Sequence, residues 1–167
     1  FDREDYVSDW KPAYADLYRV DTRTGETTLM LERQLRTYGL SPDGNHFLYW
    51  RDGDMHAWDL EGDEPINLTA AVDVDFTDME WDYFGERPPY GVAGWSADGD
   101  SVLLEHRYDL WRVALDGSGG DNFTAGFGNR GEIRLRPIAL DTGPRRPGSC
   151  ACRRVGARRS RCCGPTR

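Results

Sequence analysis

Residues 39–69 and 94–124 of this chain are two copies of one pattern. GLSPDGNHFLYWRDGDMHAWDLEGDEPINLT aligns without a gap on GWSADGDSVLLEHRYDLWRVALDGSGGDNFT at an offset of 55 residues. Identical pairs include Gly39/Gly94, Ser41/Ser96, Asp43/Asp98, Gly44/Gly99, Asp54/Asp109, Gly62/Gly117, Asn67/Asn122 and Thr69/Thr124. Self-similarity at such a period marks a supersecondary unit that buries its apolar surface against neighbouring units, so the fold to look for is an array.

Within each copy, SPDG or SADG separates short runs rich in aromatic and β-branched residues, which is how a tight turn between antiparallel strands is written. His46 to Trp50 and Ser101 to Glu105 are predicted strands after that turn. Met55 to Leu60 and Leu110 to Leu115 are the next pair, and Gly62 and Gly117 turn the chain again. Ile66 to Thr69 and Asn122 to Thr124 start a fourth strand or a crossover.

Ahead of the first copy, Asp16-Leu17-Tyr18-Arg19-Val20-Asp21 resembles Asp109-Leu110-Trp111-Arg112-Val113, and TRTGE replaces the glycine turn before Thr27 to Leu31. That is the rear half of an earlier unit. After the second copy, Gly131 to Leu140 reads as the opening strand of another. Residues 70–93 form an insertion in which Val72, Val74 and Phe76 alternate with Asp73 and Asp75 before a Pro88-Pro89 break, read as an edge strand followed by a long loop.

Four short strands per repeated unit match the blade of a β-propeller, with the 70–93 insertion accounting for a period longer than about 40–45 residues. The expected fold class is therefore all-β: an incomplete β-propeller over residues 1–141, with two full four-stranded blades and partial blades at each end.

Composition divides the chain in the same place. All 29 acidic residues lie in 1–141, which carries a net charge of −16, whereas 142–167 carries eight arginines and no acid. An acidic body lacks the cations needed to displace counterions from phosphates, so nucleic acid is not an expected partner. No 18-residue apolar run is present, so no membrane span is expected. Lys11 is the one lysine; arginine over lysine, with abundant Asp and Gly, suits GC-rich coding DNA and hints at a bacterial source.

The tail TGPRRPGSCACRRVGARRSRCCGPTR has almost no large apolar residue and is expected to be disordered. Its Arg, Cys, Gly and Pro content is also what an out-of-frame reading of GC-rich DNA yields, which suggests a frameshift or fragment end. Cys150, Cys152, Cys162 and Cys163 lack the paired C-x-x-C spacing of zinc sites, and no cofactor or metal is expected.

The order strand, S-P-D-G, apolar strand, D-[LM]-aromatic/His strand, glycine turn and N-[LF]-T resembles the WD-like propeller repeat of the TolB type. PPYGVAGWSADGDSVLLEHRYDLWRVALDGSGGDNFTAGFGNRGEIRLR is similar to a stretch of bacterial members of the prolyl oligopeptidase family of serine peptidases, and the likeness covers about residues 10–140. The resemblance implies a propeller that restricts which peptides reach a Ser-Asp-His triad in an α/β-hydrolase domain later in the chain. The implied partners are further blades, that hydrolase domain and peptide substrates. This stretch would itself be non-catalytic. The alternative is a TolB-like propeller segment of a protein-binding protein with no hydrolase domain.

Candidate chemistry within the chain is sparse. Ser41 and Ser96 lie in G-x-S-x-D and lack the second glycine of a nucleophile elbow. His46, His56 and His106 have no ligand spacing. Asp73, Asp75, Asp78, Glu80 and Asp82 lack the sixth-position glycine of a calcium loop. Asn67-Leu68-Thr69 and Asn122-Phe123-Thr124 fit a glycosylation sequon, but recurrence at equal positions favours backbone hydrogen bonding at a strand exit. Trp50, Trp58, Trp81, Trp95 and Trp111 could form a ligand platform, yet Trp58 aligns with Val113 and Trp95 with Leu40, the exchange of apolar groups expected of packing. No catalytic, cofactor or metal residue is therefore assigned.

Overall fold

A computed structural model of the chain describes residues 13–137. Three open antiparallel sheets make up this part, and its class is all-β. The first sheet has two strands, β1 (Ala15–Val20) and β2 (Thr27–Gln34). The second is the meander β3 (Arg36–Leu40), β4 (His46–Arg51), β5 (Asp54–Asp59) and β6 (Glu64–Asn67). The third is the meander β7 (Gly91–Trp95), β8 (Ser101–Glu105), β9 (Leu110–Ala114) and β10 (Gly120–Asn122).

The two meanders correspond position by position at the 55-residue offset, down to irregularities. β3 pairs with β4 through a register shift between Thr37 and Gly39, and β7 pairs with β8 through one between Val92 and Gly94. The following turns match as well. The Gly44 N–H donates to the Ser41 carbonyl at 2.9 Å and the Gly99 N–H to that of Ser96 at 3.1 Å. Gly44 and Gly99 have φ of 79° and 84°, a left-handed conformation that glycine adopts without a Cβ penalty.

Strand alternation sends opposite sides of each sheet to different neighbours. Leu48 and Trp50 of β4, with Met55 and Ala57 of β5, join Val102 and Leu104 of β8 and Val113 of β9 in one apolar cluster between the meanders. All of these are at most 1% exposed. The first meander is also tied to the two-stranded sheet by hydrogen bonds from Gln34 Nε2 to the Trp50 carbonyl (2.7 Å) and from Arg19 Nη1 to the Leu60 carbonyl (3.1 Å).

The insertion differs from its expectation. No strand forms between β6 and β7; a single bridge joins Thr77 to Pro89. The alternation of Val72, Val74 and Phe76 does reflect burial, since all three pack into or against the cluster between the meanders. Local hydrogen bonding takes the place of a ladder. Asp75 Oδ1 accepts the Thr77 N–H (2.7 Å), Asp78 Oδ1 accepts the Glu80 N–H (2.9 Å), and the Val74 N–H reaches the Val72 carbonyl (2.9 Å). Aspartates that capture nearby amides in this way compete with strand pairing.

Two further boundaries move. The fourth strand of each meander ends at Asn67 or Asn122, so Leu68, Thr69, Phe123 and Thr124 follow it. The expected strand from Gly131 to Leu140 is not formed over its described part: Phe127–Gly131 is a short helix, α1, and residues 132–137 are irregular. Gly128 of α1 fits where a Cβ would meet the Ile133 carbonyl at 2.8 Å, a constraint on the helix that apolar alternation does not encode. The tail from 142 onward lies outside the described residues.

Candidate functional site

The most elaborate polar constellation occurs twice. In the first meander, Asp54 at the start of β5 accepts from Thr69 Oγ1 (2.6 Å) and from Asn67 Nδ2 (2.9 Å). Asn67 Oδ1 in turn accepts the N–H groups of Thr69 and Ala70, both at 3.0 Å, and Thr69 Oγ1 accepts the Met55 N–H at 3.1 Å. In the second meander, Asp109 accepts from Thr124 Oγ1 (2.7 Å) and Asn122 Nδ2 (3.4 Å), while Thr124 Oγ1 accepts the Leu110 N–H (3.2 Å). The chain leaves its fourth strand here, and the triad replaces ladder partners the backbone has just lost.

Asp109 carries more than its counterpart. Its carboxylate also accepts the Gly128 N–H (2.8 Å) and the Asn129 N–H (3.3 Å), so it anchors α1 as well as the strand exit. The residue is 3% exposed. Burial, the largest single influence, pushes its pKa up, but the Thr124 hydroxyl and the Gly128, Asn122 and Asn129 donors together hold the carboxyl below its ordinary value.

Both candidate serines are turn members. Ser41 Oγ donates to Asp43 and accepts the His46 N–H (2.9 Å); Ser96 Oγ donates to the Ser101 carbonyl (3.1 Å) and accepts the Ser101 N–H (3.0 Å). The Ser41 hydroxyl, with the Asn45 amide adding to the effect, holds the Asp43 carboxyl below its usual value. No histidine acts as a base toward either hydroxyl in these bonds, and hydrogen bonds within a turn supply no activation of a nucleophile.

The histidines are apart in role. His56 stacks on Tyr49 at 5.2 Å between ring centroids, while His106 meets Phe76 and Tyr90 edge-on at 6.2 and 5.6 Å. Burial pushes the pKa of both down. Of the acidic run, Asp75 and Asp78 serve the local turns, and Glu80 pairs with Arg107 (3.1 Å) and Arg134 (2.6 Å). Among the described residues no group of three or more His, Cys, Asp or Glu is placed to hold a metal ion. The tryptophans are not gathered on one surface: Trp50 is 1% exposed with Nε1 donating to the Arg87 carbonyl (3.0 Å), and Trp95 and Trp111 pack on the cluster between the meanders.

A cleft of about 320 Å³ opens where β2 and β4 end, lined by Tyr14, Gln34, Trp50, Asp52 and Glu86 among others. Gln34 Nε2 donates to the carbonyls of both Arg36 (2.9 Å) and Trp50 (2.7 Å), which fixes the amide orientation. Gln34 Oε1 and Glu86 Oε1 are buried and accept no hydrogen bond among the described residues. Its rim carries Glu32, Arg33, Arg51 and Asp52, so charge is what it can present. Among the described residues no serine, cysteine or histidine lines it.

Sequence reasoning assigned Asn67, Thr69, Asn122 and Thr124 to strand-exit hydrogen bonding but did not join Asp54 and Asp109 to them. The identity of all three residues in both copies was the available signal. The additional capture of Gly128 and Asn129 by Asp109 had none, because residues 73 and 74 of the first copy do not follow that path. Among the described residues no helix is long and apolar enough to cross a membrane. No protein-family model matches the chain, and no curated protein matches it.

Proposed function

We propose that the chain is part of the propeller of a prolyl-oligopeptidase-type serine peptidase, a substrate-gating element with no catalytic group of its own. The observation that carries this reading is the tandem pair of four-stranded meanders, alike in strand order, in the shifted register at Gly39 and Gly94 and in the Ser-x-Asp-Gly turn. Sheets of this kind, packed face over face, are the units from which a propeller ring is assembled. The ring's narrow axis would admit extended peptides and exclude folded chains from a hydrolase domain beneath it. The resemblance of residues 88–136 to bacterial members supplies the family.

The coding sequence beyond Asp141, read in all three frames, tests this. A frame that restores further four-strand units, then G-x-S-x-G, then an Asp and a His, is the expected result. Termination after one closing unit would overturn the peptidase reading and leave a TolB-like binding propeller.

A further inference from the structure

We propose that Asp52–Gly53, the turn between β4 and β5, is a site of spontaneous covalent modification, at which the chain converts a main-chain link into an isoaspartyl link through a cyclic imide. The chain holds four Asp-Gly steps, at 43–44, 52–53, 98–99 and 116–117. Glycine favours this reaction because no side chain shields the attacking nitrogen. The aspartates of all four steps are exposed, so access to water does not separate them. Hydrogen bonding does. The Gly44 N–H donates to the Ser41 carbonyl (2.9 Å), the Gly99 N–H to that of Ser96 (3.1 Å) and the Gly117 N–H to that of Ala114 (3.3 Å). Their carboxylates are held as well: Asp43 accepts from Ser41 Oγ and from the Asn45 N–H (3.2 Å), Asp98 from the Asp100 N–H (3.3 Å) and Asp116 from the Ser118 N–H (2.9 Å). Each of these bonds keeps nitrogen and carboxyl carbon in the turn and apart from one another.

The fourth step lacks both restraints. Among the described residues the Gly53 N–H makes no hydrogen bond and the Asp52 carboxylate accepts none, and the neighbouring Arg51 donates through Nη2 to the Glu32 carbonyl (2.7 Å) instead. Asp52 and Gly53 have φ of 55° and 87°, the paired positive values of a primed two-residue hairpin turn. In the reaction, the Gly53 nitrogen adds to Asp52 Cγ, and the N–H proton and the carboxyl hydroxyl leave as water, closing the imide. Water then adds to one of its two carbonyls. Opening at the side-chain carbonyl restores aspartate; opening at the main-chain carbonyl leaves Gly53 joined through Cγ and a free α-carboxylate on residue 52. The product carries one more main-chain carbon through a hairpin whose loop length sets its register. β4 and β5 pair from Arg51↔Asp54 to Trp50↔Met55, and Trp50 and Met55 are at most 1% exposed, so the change reaches the cluster between the meanders.

The full chain, aged for weeks at neutral pH below its thermal transition and then digested, supplies the test, with isoaspartate read in each Asp-Gly peptide by electron-transfer fragmentation. Isoaspartate is expected at residue 52 at least tenfold faster than at 43, 98 or 116. Aged in urea, the same chain should form it at all four steps at comparable rates, because the hydrogen bonds that hold three of them are gone. Asp52→Glu needs a larger, slower-closing ring, so it should keep its urea midpoint through an ageing period that lowers the midpoint of the wild type. The proposal is overturned by equal rates at the four steps in the folded chain, by a faster rate at 43, 98 or 116, by an unchanged preference for residue 52 in urea, or by equal loss of midpoint in Asp52→Glu and wild type.

Discussion

Asp109 shows how much one carboxylate can organise. Four donors converge on it, from the strand exit at Asn122 and Thr124 and from the first turn of α1. Replacing it by asparagine keeps the shape but loses the charge and points an amide N–H at other donors. Leaving buried donors unsatisfied costs about 1–3 kcal/mol, so Asp109→Asn should lower stability by that amount at pH 7 in a urea titration. The pH dependence has a definite sign. A carboxyl held below its ordinary value in the folded chain contributes stability that is present above the unfolded pKa of about 3.9 and is lost as pH falls through the folded value. The gap between wild type and Asp109→Asn should therefore narrow below about pH 4; a gap independent of pH would show that the charge of Asp109 is not what the donors recognise. The recurrence of Asp, Asn and Thr at a fixed offset was legible in the sequence. Their mutual hydrogen bonding was not, because Asp54 and Asp109 lie 13 residues before their asparagines and meet them only after β5 pairs with β6 and β9 with β10.

At the scale of elements, turns were more readable than strand ends. Ser41-Pro42-Asp43-Gly44 and Ser96-Ala97-Asp98-Gly99 specify their own geometry, since the glycine must take positive φ and the serine and aspartate satisfy the neighbouring amides. Gly99→Ala meets nothing within 4 Å of the new Cβ, so its cost is conformational, about 1 kcal/mol. Gly120→Ala differs, because its Cβ would stand 2.7 Å from the Arg112 carbonyl oxygen in the adjacent strand. Forcing β10 away from β9 should cost more, about 2–3 kcal/mol. Equal losses for the two variants in urea unfolding would contradict this difference in packing. The insertion shows the limit of periodicity. Val72, Val74 and Phe76 alternate as a strand would, and Val72 and Phe76 are buried as that pattern predicts, but Asp75 and Asp78 take up the amides a strand would have needed.

At the scale of the molecule, the sheets formed by the described residues pack without closing. The cluster joining β4 and β5 to β8 and β9 gives the meanders a shared core, while the two-stranded sheet buries Leu31, is tied to the first meander by hydrogen bonds of Arg19, Gln34 and Arg51, and leaves Tyr18, Val20 and Leu29 exposed. Stability in such an array is a sum of unit and interface contributions, so units with fewer covered faces open first. The isolated chain is expected to melt broadly or to associate through its edges, measured by calorimetry and light scattering across protein concentration. A sharp, cooperative transition in a monodisperse monomer would contradict the reading of this chain as part of a larger ring.

The sequence by itself determined the unit: its length, its Ser-x-Asp-Gly turn, its meander of short strands and the identity of the residues that recur at its exit. These are local, or repeat at a fixed offset, and each copy restates them. Tertiary structure decided what each copy does with its surroundings. It drew the coil of 70–90 into the core between the meanders, gave Asp109 a helix to hold that Asp54 lacks, and left β1 with one paired neighbour among the described residues where β5 and β9 have two. Those outcomes depend on contacts between segments far apart in the chain, and no pattern within a single copy encodes them.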